Sequence, residues 1–451
     1  MRRVLGVLLV ACVGTVAADA PPAADAVALV RAAAQPLTGG AHDYDALLAA
    51  VGAARIVMLG EATHGSREFY RERARITRRL IAEKGFHAVV FEAPWQPMRR
   101  LDAYVRGAGG DAAAAAALAD MVRFPRWMWR NEEVRDFAAW LRGYNRRAGA
   151  AAVRVYGMDL YSVPESAQAV AAYLASSAPP EAAAARRDYR CFDDYLAEPQ
   201  DYGHAVVVLG RSGCGAGVRR QLALMQTSVD LAGTPDEALF EAWQSAHTVA
   251  AGEDYYRAMY RQEIPSWNVR ERHMADTLDR LLAWLSSASG SEAKLVVWAH
   301  NIHQGDARAT DQAAAGEFSL GQAMRERHDG RVVLVGFTTH SGRVRAASGW
   351  GRRDRVKRLR PALAGSWTAL LHASGLPAFL LIFAGNPPLA AALAENRPER
   401  AVGVTYLPHD ERASHYFHMR LSQQFDAVIH LDVTSAVAPL PDTGDGVPVI
   451  R

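Results

Sequence analysis

Two rhythms of apolar residues run through this chain. Nearly continuous apolar runs of strand length lie at 55–59, 87–91, 153–156, 295–298, 332–335, 379–383 and 427–431. Strands covered on both faces read this way. Between them, apolar positions fall at the spacing of a helix face. The segment 66–84 places Phe69, Ile76 and Leu80 on one side and stops at Gly85, a residue suited to ending a helix. Residues 24–50 also read as helical, with Val27, Leu29 and Val30 and then Leu47 and Leu48 giving apolar faces. Strands alternating with helices predict an α/β fold with a central, mostly parallel sheet flanked by helices.

The alternation fails over 165–290, where Ala-, Tyr- and Arg-rich stretches carry almost no strand signal. This segment is expected to be a helical insertion capping the sheet, with 21–164 and 291–451 forming the α/β core. The alanine run at 112–117 needs no more than helix propensity to explain it. Gly107-x-Gly109-x-x-Ala112 imitates a dinucleotide fingerprint, but no strand precedes it to aim its amides at a pyrophosphate.

Composition narrows the classes. At 451 residues and 50% hydrophobic content the chain can bury an enzyme-sized core. A net charge of +3 is small for this length, and apart from Lys84, Lys294 and Lys357 the basic residues are arginine. That balance fits codon usage better than nucleic-acid binding, and the basic residues Arg67, Arg71 and 352–360 read as solvated faces. Met1-Arg2-Arg3, an apolar run to Ala18 and a small-residue site at Ala18-Asp19-Ala20 predict a signal peptide over 1–20 and a periplasmic or secreted protein. A rival reading takes 9–12 as a lipobox that would lipidate Cys12. No other run approaches membrane-span length, so no span is expected in the mature protein. After cleavage Cys191 and Cys214 remain, and export favours their pairing.

The chemistry gathers at strand ends, where α/β enzymes keep it. One strand runs into Gly60-Glu61-Ala62-Thr63-His64-Gly65, a second into Glu92, a third into His300-Asn301-Ile302-His303. An imidazole can serve as a base near neutral pH, and a carboxylate such as Glu61 or Glu92 would hold its tautomer. Glu61, His64, Glu92, His300 and His303 could alternatively ligate zinc, although the metallopeptidase spacing is absent. Arg270 could steady an oxyanion or a substrate carboxylate, or form a helix-surface ion pair. Asp159 ends a strand and could contact substrate or bond a loop. With neither a Gly-x-Ser-x-Gly elbow nor a Walker loop, water is the expected nucleophile.

From Gly60 to Gly65, through Glu68-Phe69 and 91–95, the chain resembles the erythromycin esterase family. Later blocks at 156–159, Arg270-Glu271-x-x-Met274-Ala275, 298–303, Gly336-Phe337 and 416–439 follow in order. The likeness is weakest over 165–260, and it implies a central α/β core with a helical part bordering a deep active-site cleft. The resemblance implies a hydrolase that cleaves a (macro)lactone or other carboxylic ester, macrolide antibiotics being the best named substrates and resistance the setting. It implies His64 as activator of water, Glu61 and Glu92 as its partners, His300 as the group that polarises the carbonyl or protonates the leaving alkoxide, and Arg270 as support. His303, Asp159 and Glu68 are the expected substrate contacts. No cofactor, metal or obligate protein partner is expected, only a small-molecule ester. A metal-dependent hydrolase built on the same cluster and an exported, non-catalytic binding protein stand as the alternatives.

Overall fold

The computed structural model describes residues 23–149, 152–196, 198–261 and 265–441; the expected signal segment and Cys12 lie outside them. Its strands in chain order are β1 (Gln35–Pro36), β2 (Ile56–Leu59), β3 (Ala88–Pro94), β4 (Arg154–Asp159), β5 (Leu295–Trp298), β6 (Val332–Thr338), β7 (Ser341–Ala346), β8 (Arg355–Leu359), β9 (Ala378–Ile382), β10 (Arg397–Arg400), β11 (Tyr416–Met419), β12 (Ala427–Leu431) and β13 (Val433–Thr434). Eight of them form one sheet in the order β1-β9-β12-β6-β2-β5-β3-β4. From β12 to β4 every pairing is parallel, while β9 runs antiparallel to both β12 and β1. The mostly parallel sheet expected from the alternation is therefore present, with each of the seven apolar runs supplying a strand.

Successive side chains of a strand point to opposite faces, so the sheet has two cores. In β2, Val57 and Leu59 join Phe69, Leu80, Phe91 and Trp298 on one face. Ile56 and Met58 join Val90, Val297 and Trp367 on the other. Each such side chain removed from water contributes roughly 1.5–3 kcal/mol. The helix Arg67–Lys84 buries Phe69, Ile76 and Leu80 against the first core and ends where Gly85 turns left-handed at φ 66°.

Five helices, Val163–Ser177, Pro179–Tyr189, Gln200–Val207, Gly215–Ala232 and Glu237–Ala258, share a separate core that includes Leu174, Phe192, Tyr202, Met225 and Val249. Cys191 and Cys214 are bridged there, with Cα atoms 5.7 Å apart. The next helix, Ser266–Ser289, lies within the segment read from sequence as the insertion, yet its Met274, Leu278, Leu281 and Trp284 belong to the second sheet core. It is a flanking helix of the sheet, and one end of it brings Arg270 to the strand ends that carry Glu92 and Asp159.

Two small sheets, β13-β7-β8 and β10-β11, have no counterpart in the sequence reading. Gly107, the first glycine of the apparent dinucleotide motif, is the left-handed cap of the helix Trp95–Arg106, with φ 74°. No described helix is long and apolar enough to cross a membrane.

Candidate active site

The carboxyl ends of β2, β3, β4 and β5 converge at the mouth of a cavity of about 250 Å³. Two glycines let the β2 end approach its neighbours. A Cβ on Gly60 would lie 2.1 Å from Asn301 Oδ1, and one on Gly65 would lie 1.9 Å from the Arg345 carbonyl oxygen. Either side chain would push the loop out of place. Between them His64 is held by its own backbone. Its N–H donates to the Val402 carbonyl at 3.1 Å, and its carbonyl accepts from the Tyr70 hydroxyl at 2.7 Å.

The His64 ring is fixed by a buried relay. Nδ1 lies 2.7 Å from Glu61 Oε1, and Arg73 Nη2 donates to Glu61 Oε2 at 2.7 Å. Neither Glu61 nor Arg73 is exposed at all. Their opposite charges, and the Tyr70 and Trp298 rings 4.5 and 5.0 Å from the guanidinium carbon, replace the water each has lost. A carboxylate can only accept, so Nδ1 carries the proton and Nε2 keeps its lone pair for the cavity that His64 lines. That is the tautomer a base needs.

A second network meets the first at the same wall. Glu92 accepts the His300 backbone N–H at 2.9 Å through Oε2, while Oε1 receives Arg270 Nη2 at 2.8 Å and lies 3.2 Å from His303 Nε2. Arg270 also grips Asp159 through Nε and Nη2 at 3.0 and 2.6 Å. His303 stacks on Trp267 with centroids 4.5 Å apart and places Nδ1 2.6 Å from Glu271 Oε1. Burial alone would depress the imidazole, but Glu271 and Glu92 outweigh it and raise its pKa to about 9. Against the same desolvation, His303 and Arg270 hold the Glu92 carboxyl well below the usual range. With His303 protonated, the 3.1 Å approach of Arg270 Nη1 to His303 Nε2 sets donor against donor. The proton on Nε2 is therefore directed to Glu92.

His300 behaves differently. It is fully buried behind His64, with ring centroids 4.9 Å apart in an edge arrangement, and is absent from the cavity wall. Desolvation pushes its pKa well below the ordinary value, so it is neutral. Nδ1 accepts the Ile302 N–H at 3.2 Å, which leaves the proton on Nε2.

Of the eight residues singled out from sequence, His64, Glu92, Asp159, Arg270 and His303 line the cavity. Glu61 and His300 stand immediately behind them. Glu68 stands apart, clamped to Ser435 through N–H and hydroxyl at 2.8 and 2.6 Å. Arg73, Glu271 and Trp267 escaped the sequence reading. Glu271 sits inside the quoted Arg270-Glu271 block, so a signal existed for it; Arg73 is one polar position among many on its helix. The carboxylates offer a cation few free lone pairs, because guanidinium and imidazolium groups already occupy them. Among the described residues no three such groups are placed to share an ion. Cavity-wall residues Arg123 and Tyr161 make a stacked pair at 3.8 Å.

Comparison with known proteins follows the same outline. The family model described as erythromycin esterase matches residues 81–434. "Erythromycin esterase type II" of Escherichia coli is 29% identical over 106 residues, 24% of this chain, and the chain spans only 24% of that curated relative. A crystal structure of a Bacillus cereus protein superposes with a TM-score of 0.76 at 20% identity, covering 93% of this chain and 100% of the other. A succinoglycan biosynthesis protein gives 0.74 at 22%, covering 92% and 98%. A mutant of the erythromycin esterase EreC in its open conformation gives 0.65 at 16%, covering 87% and 94%. At these identities the superpositions speak for the fold.

Proposed function

Because the chain belongs to the erythromycin esterase family, we propose that it hydrolyses a carboxylic ester or lactone with a water molecule activated by His64. One observation carries this reading: a cavity-facing imidazole whose Nδ1 is 2.7 Å from a fully buried carboxylate. His64 Nε2 takes a proton from water as its oxygen attacks the ester carbonyl, and Glu61 stabilises the imidazolium that forms. The carbonyl π pair moves onto oxygen, giving a tetrahedral oxyanion on the wall where Arg270 and protonated His303 supply positive charge. When the oxyanion collapses, the C–O bond to the leaving group breaks and the departing alkoxide takes the proton from His64. Acid and alcohol leave, and the imidazole is neutral again. His300 acts through His64, keeping its ring in place.

A cavity of about 250 Å³ is small for a ligand pocket. Simple esters and small lactones therefore belong beside macrolides in the first substrate panel, with mass spectrometry reporting the carboxylic acids or ring-opened acids formed. Removing a general base lowers kcat by roughly 10²–10⁴. His64→Ala should fall by that much while remaining folded. Turnover by that variant at the parental rate would remove His64 from the mechanism; a protein that binds esters and never turns one over would be the non-catalytic binder instead.

A further inference from the structure

A second cavity, of about 380 Å³, lies outside the hydrolytic cavity, between the helices Glu237–Ala258 and Ser266–Ser289. Its wall has an unusual charge economy. Arg280 enters from Ser266–Ser289 and makes only neutral hydrogen bonds, from Nε to Gln244 Oε1 at 2.6 Å and from Nη2 to Thr277 Oγ1 at 3.3 Å. The two carboxylates that could neutralise it are committed elsewhere. Asp276 pairs with Arg327 at 2.8 Å, and Asp279 pairs with Arg327 and His328 at 2.7 and 2.6 Å. Burial pushes the Arg280 guanidinium down to about 10, against the pull of Asp276 and Asp279. A cation desolvated this far without an ion-pair partner is costly to keep.

The imidazoles beside it are also incomplete. His273 is 5% exposed, and neither its Nε2 nor that of His247 finds a hydrogen-bond partner. Burial and the Arg280 charge keep both rings neutral, His247 falling to about 3. A neutral imidazole still offers one N–H. Arg261 and Arg272 add exposed cations at the rim, and the wall as a whole sets four arginines against two aspartates, Asp254 and Asp276.

We propose that this cavity is a second ligand site, which takes the oxyanion group of a small organic acid or phosphate ester on Arg280, with His247 and His273 as neutral donors. An oxyanion would supply the counter-charge Arg280 lacks and the acceptors the imidazoles lack, and the volume leaves room for a molecular body behind it. The reading is independent of the ester chemistry.

Titration calorimetry on the full chain, at ionic strength held constant with sodium chloride, tests it with three probes: inorganic phosphate, glucose 6-phosphate and citrate. The expected result is saturable binding of at least one, with the tightest probe separating phosphate from carboxylate recognition. Loss of a charge-assisted hydrogen bond weakens binding roughly ten- to a hundredfold, so Arg280→Gln should do so with an unchanged circular dichroism spectrum. Should Arg280→Gln fail to fold, Arg272→Gln on the exposed rim carries the comparison and should weaken binding by a smaller factor. His64→Ala should bind the probe as the parent does. Heat that merely follows chloride, binding that survives both arginine substitutions, or binding lost in His64→Ala would overturn the proposal.

Discussion

Substituting Glu61 by Gln perturbs one side chain that serves two masters. Its Oε2 neutralises Arg73 and its Oε1 orients His64, both at 2.7 Å, in a place with no exposure to water. An amide has one acceptor oxygen and one donor nitrogen. Arg73 Nη2 can only donate, so it claims the amide oxygen and turns the amide N–H group toward His64 Nδ1. Nδ1 must then be the unprotonated nitrogen, the proton moves to Nε2, and the base is lost. The expected fall in kcat is roughly 10²–10⁴, with a stability loss of about 3–5 kcal/mol for stranding a buried cation. Adding Arg73→Met removes that cation and leaves a thioether among the Tyr70, Trp129 and Trp298 rings that now surround the guanidinium. The amide is then free to present oxygen to His64. The double variant should therefore regain most of the stability, read as a urea midpoint, and about an order of magnitude or more in kcat over the single variant. A folded double variant no faster than Glu61→Gln would refute the claim that Arg73 dictates the orientation, and parental turnover by Glu61→Gln would refute the relay itself.

The His303 network should mark the pH dependence of stability. Its folded pKa of about 9, against 6.5, means that a contribution on the order of 3 kcal/mol is whole below pH 6.5 and disappears as pH rises through 9. The depressed Glu92 contributes above pH 4.5 and ceases to as pH falls below it, while Glu271, raised by burial, works in the opposite sense. The Tm gap between parent and His303→Asn should narrow between pH 6.5 and 9, and a constant gap contradicts the assignment. Cys191→Ser should lower stability by about 3 kcal/mol for a bridge of sequence separation 23; two reactive thiols in the denatured, unreduced protein would speak against the bridge. Prolonged chelation should leave turnover unchanged, whereas loss restored by zinc would reinstate the metal-dependent reading.

The central strands were legible because parallel strands buried on both faces leave near-continuous apolar runs, as β2 and β5 do. The smaller sheets were not. β8, Arg-Val-Lys-Arg-Leu, buries only Leu359, so its sequence reads as a basic solvated run and its pairing with β7 leaves no hydrophobic trace. The ionisable strand ends could be found because a charged or imidazole side chain directly after an apolar run is conspicuous. Spatial partnership was harder to read. Nothing local distinguishes Arg73, wholly buried, from Arg71 or Arg75 on the same helix, because its burial is decided by Glu61 and Trp298, which arrive from other strands. His300 and His303 look equivalent in sequence. The short helix Asn301–Gln304 parts them, turning His303 to the cavity and leaving His300 as its buried cap.

The loop that carries His64 is sewn to the far end of the chain. Gly65 accepts from Val437 N–H at 3.0 Å, Arg67 N–H donates to the Ser435 carbonyl at 2.8 Å, and Glu68 closes on the Ser435 hydroxyl at 2.6 Å. These stitches fix a timetable. At ribosomal speeds of about 5–20 residues per second, Val437 follows His64 by roughly 20–75 s. In the last part of that interval, once residue 303 has been made, a growing chain already contains every ionisable group of the cavity, yet the loop under its His64 imidazole is not anchored. On the mechanism proposed above, hydrolytic competence arrives in one late step, when the segment around Ser435 and Val437 docks, and a product truncated after β12 would hold all eight residues singled out from sequence and remain silent.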